Sequence, residues 1–271
     1  MGHLHGRLHQ LLPLTLLAAA LASGPLRAAH QFDRLGLSPR ERAALVAACG
    51  SEPVCAAKRL SRSDPLRFTL EPAAAPDTEV IRWVRKRPSL AAVERVGGLL
   101  RVELTGFSRT LFREWRRRVP AGAEIVLDLR RHRGGDVERM LALASSLSGE
   151  GEELWLVSQA GRRRLVARPG AVPRTRVRAL LIGPETASAA EALALLLARR
   201  GAVLCGKPSR GKWQVEALVP VSGELVLRAR VGALWPGGRP PPPRLRPASA
   251  DPLCRALAPV AKRASHPLKE G

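Results

Sequence analysis

A serine, a lysine and a pair of glycines stand at turns between strands and helices, and from such residues an acyl-transfer site can be built. The strand-like run Arg176 to Ile182 ends at Gly183 and passes through Pro184-Glu185-Thr186-Ala187 into Ser188, at the head of an apolar helix reaching Arg200. A serine in that turn presents its hydroxyl at a helix N-terminus. Ser188 with Glu191 three residues on is also a capping box, which needs no catalysis. Lys212 follows Ser188 by 24 residues, in the segment Gly206-Lys207-Pro208-Ser209-Arg210-Gly211-Lys212. One helix and one strand intervene, so the chain can return the lysine to the serine.

A lysine acts as general base when desolvation and neighbouring cations bring its pKa of about 10.4 towards roughly 7–8. Arginine cannot, because its guanidinium keeps its proton. Of the 45 basic residues only six are lysine, and the other 39 are arginine. Lys58, Lys86, Lys262 and Lys269 lie in polar contexts, whereas Lys207 and Lys212 have a structured setting. A third segment runs from the apolar strand Val126-Leu127-Asp128-Leu129-Arg130 into Arg131-His132-Arg133-Gly134-Gly135 and then a helix. Paired glycines there let backbone N–H groups approach a ligand, and a helix N-terminus favours an anion. Two glycines alone are equally an ordinary tight turn.

The elements that must position these residues alternate from about residue 78 onward. Strands are expected at Leu99–Leu104, Glu124–Leu129, Glu153–Ser158, Arg176–Ile182, Ala202–Cys205, Val215–Val219 and Glu224–Val231. Helices are expected at Phe107–Val119, Val137–Leu147 and Ser188–Arg200. This alternation indicates an α/β fold: a core with a largely parallel sheet flanked by helices, finished by more local strand pairing. Pro240 to Pro243 can form only a polyproline-type edge or a loop. Residues 30–77 read as a small helical segment, with a helix start at Ser38-Pro39-Arg40-Glu41, closed by an Ala-Pro linker over Pro72 to Asp77. The catalytic core would span 78–252 and a short tail 253–271.

Together the three segments resemble the carboxyl-terminal processing, or tail-specific, serine protease family. Its strand ending Leu-Asp-Leu-Arg-x-Asn-x-Gly-Gly is similar to Leu127 to Gly135. Its Gly-Thr-Ala-Ser-Ala-x-Glu turn is similar to Glu185 to Glu191, and its Gly-Glu-x-Thr-Phe-Gly-Lys-Gly-x-Val-Gln segment to Gly206 to Glu216. The similarity covers roughly residues 97–252. It implies a crotonase-like core, Ser188 as nucleophile, Lys212 as general base, and backbone N–H groups of Gly135 and Ala189 as the oxyanion hole. Arg130, His132, Gly134 and Glu216 would support them. The chain departs from the family where His132 replaces an Asn and Arg133 the residue after it, where Ser209-Arg210 replaces Thr-Phe, and where Trp213 replaces a glycine. Glu216 replaces the glutamine that orients the lysine, and a carboxylate there favours the charged lysine, opposing its use as a base. A substrate-tethering PDZ domain, frequent in the family, is not expected in residues 30–96.

Residues 1–29 read as an export signal, with Arg7 ahead of the 12-residue apolar run Leu11 to Ala22 and cleavage sites between about 22 and 29. The alternative is an uncleaved anchor or a buried helix. The protein is therefore expected in the periplasm or secreted, with no transmembrane segment once the signal is cleaved, and membrane-anchored if it is not. An oxidising compartment suits a Cys49–Cys55 disulfide, while Cys205 reads as a small core residue. No cysteine pair has zinc spacing and no histidine cluster accompanies them, so no metal is expected, and a Ser–Lys dyad needs no cofactor. The net charge of +22 suggests anionic partners. Its even spread, and nine aromatics with no tyrosine, argue against specific nucleic-acid binding. The expectation is an exported serine endopeptidase that hydrolyses a polypeptide, near its C-terminus as the resemblance implies. The alternatives are a catalytically weak or inactive family member that binds peptides or envelope partners, and an electrostatic binder whose affinity falls steeply with salt.

Overall fold

A computed structural model describes residues 35, 37–72, 88–158, 161–248 and 250–263. The expected export signal, most of the Ala-Pro linker and the end of the tail lie outside them. Helices α1 (Pro39–Cys49) and α2 (Pro53–Ser63) lead into β1 (Phe68–Pro72), β2 (Leu90–Val96) and β3 (Leu99–Leu104). Then follow α3 (Leu111–Arg118), β4 (Glu124–Asp128), α4 (Val137–Ser148), β5 (Glu152–Ser158), β6 (Gly161–Ala167), β7 (Arg176–Ile182) and α5 (Ala189–Arg199). The chain closes with β8 (Val203–Gly206), β9 (Gln214–Pro220), β10 (Leu225–Pro236) and α6 (Pro252–Arg263).

The site belongs to a five-stranded sheet of order β2-β3-β4-β7-β8, in which β3, β4, β7 and β8 run parallel and β2 is an antiparallel edge. Its central strands are buried on both faces, which is why they read as unbroken apolar runs. Alternate residues point to opposite sides. Ile125, Leu127, Leu180 and Ile182 face the main core with α4 and α5, while Val126, Ala179 and Leu181 face Leu257 of α6. Parallel strands carry β4 and β7 to the same edge, so the glycine turn after β4 and the serine turn after β7 emerge side by side.

The remaining strands form a second sheet, β1-β10-β5-β6 with β9 on the other side of β10, and every pair in it is antiparallel. The expectation of one largely parallel sheet thus holds for the first sheet and is corrected by the second. β1 and β6 here, and β2 in the first sheet, escaped the sequence reading. In β6, Gly-Arg-Arg-Arg-Leu-Val-Ala hides its alternation because arginines occupy both faces: Arg162, over the Trp235 ring, and Arg164, paired to Glu153, on one, and Arg163 on the other. The described residues of the segment expected at 30–77 also join the second sheet. β1 pairs with β10 from Phe68↔Ala229 to Pro72↔Leu225, and Leu45, Ala57 and Leu60 of the two helices pack with Phe68, Val219 and Leu227. The helix expected from Phe107 begins only at Leu111, because a buried chain of hydroxyls, Ser89 to Ser108 to Thr110, holds the preceding loop.

Disulfides join Cys49 to Cys55 and Cys205 to Cys254. Cys205 is therefore not simply a small core residue. It tethers β8, which leads directly into the lysine segment, to α6. Closing a 49-residue separation constrains the unfolded chain by about 4 kcal/mol in the chain-entropy model. Unfolding by guanidinium should show a Cys205→Ala/Cys254→Ala variant about 2–4 kcal/mol less stable than the wild type. The deficit should vanish when both proteins are compared in reductant.

Candidate active site

Ser188 has φ +55° and ψ −123°, and among the described residues it is the single non-glycine residue with positive φ. Such a backbone costs an L-residue about 1–3 kcal/mol and persists only where the surroundings over-determine it. They do so on both sides. Towards the glycine turn, Thr186 Oγ1 donates to Leu129 O at 2.9 Å and Ala187 N–H to His132 O at 3.1 Å. Towards the lysine segment, Ser188 N–H donates to Lys212 O at 2.9 Å and Arg210 N–H to Thr186 O at 2.9 Å. The strained serine is thus the seam between the two other segments.

Glu191 closes that seam. The carboxylate is fully buried, and its Oε2 accepts from Ser188 N–H at 3.0 Å and from Lys212 N–H at 2.9 Å. Oε1 accepts from Gly211 N–H at 2.7 Å and from Ser209 Oγ. The capping reading of Glu191 captured one of these four bonds. Ser209, a departure from the family pattern, also accepts from Leu245 N–H, so the lysine segment is strapped to the chain that follows the proline run. Gly211, at φ +78°, allows this closeness, since a Cβ there would collide with Pro243 O.

On the other side, Gly134 approaches the serine most closely. A Cβ on it would lie 2.9 Å from Ser188 Cβ and 3.2 Å from Ala189 N. Gly134 N–H is occupied, donating to His132 Nδ1 at 3.1 Å. Among the described residues, Gly135 N–H and Ala189 N–H have no such partner. The turn is held from behind by Arg130, which forks onto Asp128 through Nε at 2.9 Å and Nη2 at 2.7 Å. Burial alone would raise the Asp128 carboxyl, but Arg130 and then Arg101 outweigh it and hold the acid below its ordinary range.

His132 is fully buried, with its ring centroid 4.3 Å from that of Phe107. Burial pushes its pKa down to about 3, so the ring is neutral, and a neutral ring can accept at Nδ1. A folded-state value below the ordinary 6.5 means that unfolding takes up a proton between those limits. Stability should therefore fall as pH drops from 6.5 towards 3, with a contribution of about 1.4 kcal/mol per pH unit that His132→Asn lacks. Guanidinium unfolding of both proteins from pH 7 to 4 would show this; parallel curves would mean that His132 is solvated.

Lys212 Nζ donates to Glu216 Oε2 at 3.0 Å. Arg228 Nη1 donates to the same oxygen at 2.9 Å. Glu216 is lowered from its usual range, because Lys212 and Arg228 together overcome the opposing effect of burial. Trp213, in place of the family glycine, is buried in the main core, with Leu234 N–H on its carbonyl at 2.8 Å. The fold therefore brings the backbones of Ser188 and Lys212 together and gathers Ala189, Gly134, Gly135 and His132 around them. Phe107, Glu191, Ser209, Arg228 and Glu71 were missed as site residues. Glu191 left a sequence signal in the serine motif, and Ser209 one as a departure in the lysine segment.

No curated protein matches the chain. Among solved structures, a photosystem II D1 C-terminal processing protease aligns at 21% identity with a TM-score of 0.44, over 67% of this chain and 47% of its own. An S41 protease from Bacteroides fragilis NCTC 9343 aligns at 16% identity with a TM-score of 0.51, over 66% of this chain and 59% of its own. A lipoprotein from Streptococcus agalactiae aligns at 14% identity with a TM-score of 0.56, over 92% of this chain and all of its own. The chain thus spans about half the length of the first of these proteins and about three fifths of the second. A family model described as peptidase family S41 matches residues 101–239, which hold all three motifs and more than half of the sequence. The chain belongs to peptidase family S41.

Proposed function

We propose that the protein is an exported serine endopeptidase, with a crotonase-like core and a Ser188–Lys212 dyad acting on polypeptides. The observation that carries this reading is the strained Ser188 turn, zipped to the glycine turn on one side and the lysine segment on the other. Ser188 Oγ attacks the scissile carbonyl carbon as Lys212 Nζ takes its proton, and the oxyanion is received by Gly135 and Ala189 N–H. The C–N bond then breaks, Lys212 returns the proton to the leaving amine, and water hydrolyses the acyl ester. Both disulfides, with no free cysteine among the described residues, suit an oxidising compartment. No helix among the described residues is long and apolar enough to cross a membrane.

One observation favours a second reading, a weak or inactive member that binds peptides: Lys212 Nζ is hydrogen-bonded to Glu216. A fluorophosphonate probe and a generic peptide substrate, tested on wild type and Ser188→Ala, separate the two. The dyad requires labelling and hydrolysis that Ser188→Ala abolishes; identical behaviour of the two proteins would sink it.

A further inference from the structure

The Lys212–Glu216 pair is one end of a longer chain of alternating charge. Arg228, on β10, donates through Nη1 to Glu216 and through Nε and Nη2 to Glu71 Oε1 and Oε2, at 2.8 and 3.0 Å. Thr69 pairs with Arg228 across β1 and β10, so Glu71 is its diagonal neighbour two residues along. The two-point grip by Glu71 fixes the planar guanidinium, and the remaining Nη1 is thereby aimed at Glu216. Lys212 and Arg228 consequently share one carboxylate oxygen, Glu216 Oε2. Two cations on one oxygen repel each other, and an arginine keeps its proton under all ordinary conditions. The group that can relieve the repulsion is Lys212.

We propose that Arg228 and Glu71 are positioning residues that set the charge state of Lys212 through Glu216, which makes a carboxylate tolerable where the family carries a neutral glutamine. The catalytic meaning of this relay rests on the dyad reading above. It also gives the N-terminal segment a role, since Glu71 lies on β1, outside the region matched by the family model. Among the described residues, the charged side chains that bond Lys212 or share its acceptor are Glu216 on β9, Arg228 on β10, and Glu191 on α5, which accepts from the Lys212 backbone N–H.

The relay predicts effects of alternating sign, which a merely structural network would not produce. Only a neutral amine reacts with an acylating reagent, so the rate of Lys212 acetylation by N-hydroxysuccinimide acetate at pH 8, referenced to Lys207 in the same molecule, reads its charge state. Peptide mapping then reports each variant. R228Q should slow Lys212 by about three- to tenfold, E216Q should speed it by a similar factor, and E71Q, which releases Arg228 to Glu216, should speed it by a smaller one. R228K, which keeps the charge but not the fork, should fall between wild type and R228Q, and serves if R228Q does not fold. Equal rates in wild type and R228Q, or a change of one sign in all variants, would overturn the relay. Fluorophosphonate labelling in parallel separates this failure from that of the dyad. An unlabelled Ser188 with the predicted Lys212 ordering removes the catalytic reading and leaves the relay standing, whereas a labelled Ser188 without that ordering does the reverse.

Discussion

Replacing Glu191 by alanine should lower the stability of the protein by about 3–5 kcal/mol and abolish fluorophosphonate labelling of Ser188. The size follows from what the carboxylate leaves behind. Four donors converge on it, three of them backbone N–H groups of Ser188, Gly211 and Lys212, in a place where the side chain is fully buried. Ser188 N–H keeps its bond to Lys212 O, but each of the other buried donors left without an acceptor costs about 1–3 kcal/mol, and the alanine cavity offers none. A residue that merely closed a capping box would cost about 1 kcal/mol. The magnitude therefore decides between the two roles. Glu191→Gln is the informative companion, because its amide retains one acceptor oxygen and turns the other position into a donor facing donors. It should fold with an intermediate loss and label slowly. Guanidinium unfolding and probe labelling on the same samples give both readouts. A loss near 1 kcal/mol with normal labelling would return Glu191 to simple capping.

How far the site is legible in the sequence depends on whether its contacts are local. Ser188, Gly134, Gly135 and Lys212 are each written into a strand-to-turn segment, and hydrophobic runs such as Val126-Leu127 and Leu180-Leu181 announce the buried parallel strands. The order of those strands places the turns together, so motif and fold agree. Glu191 could be seen but not weighed: three of its four donors arrive from a loop about twenty residues away. Glu71 and Arg228 stand 157 residues apart and meet only because β1 joins β10, a pairing with no local signature in Phe-Thr-Leu-Glu-Pro. Cys205 and Cys254 meet for the same kind of reason, when α6 covers the far face of the parallel sheet. The arginine excess is largely silent about function. Yet particular arginines, 101 and 130 on Asp128 and 228 on Glu216, are built into the support of the site.

Gly134→Ala should reduce the rate of Ser188 labelling by about 10²–10³-fold, comparable to the removal of one oxyanion donor. Two independent penalties meet at this residue. Its φ of +102° lies where an L side chain is strained whatever the space around it. The new methyl would also stand 2.9 Å from Ser188 Cβ, 3.0 Å from Ala187 O and 3.2 Å from Ala189 N, and two of these are backbone atoms with little freedom to retreat. Either the glycine turn or the serine turn must move, and each movement separates Ser188 from the N–H groups proposed to receive the oxyanion. Gly135→Ala provides the contrast. There the strain is present at φ +139°, but the nearest atom is Phe107 Cδ2 at an ordinary 3.6 Å. Comparing the two alanines divides backbone strain from direct pressure on Ser188, and the Gly134 variant should be the slower. If it instead labels at the wild-type rate while remaining folded, the glycine turn does not press against Ser188 in solution, and the oxyanion assignment to this turn must be given up.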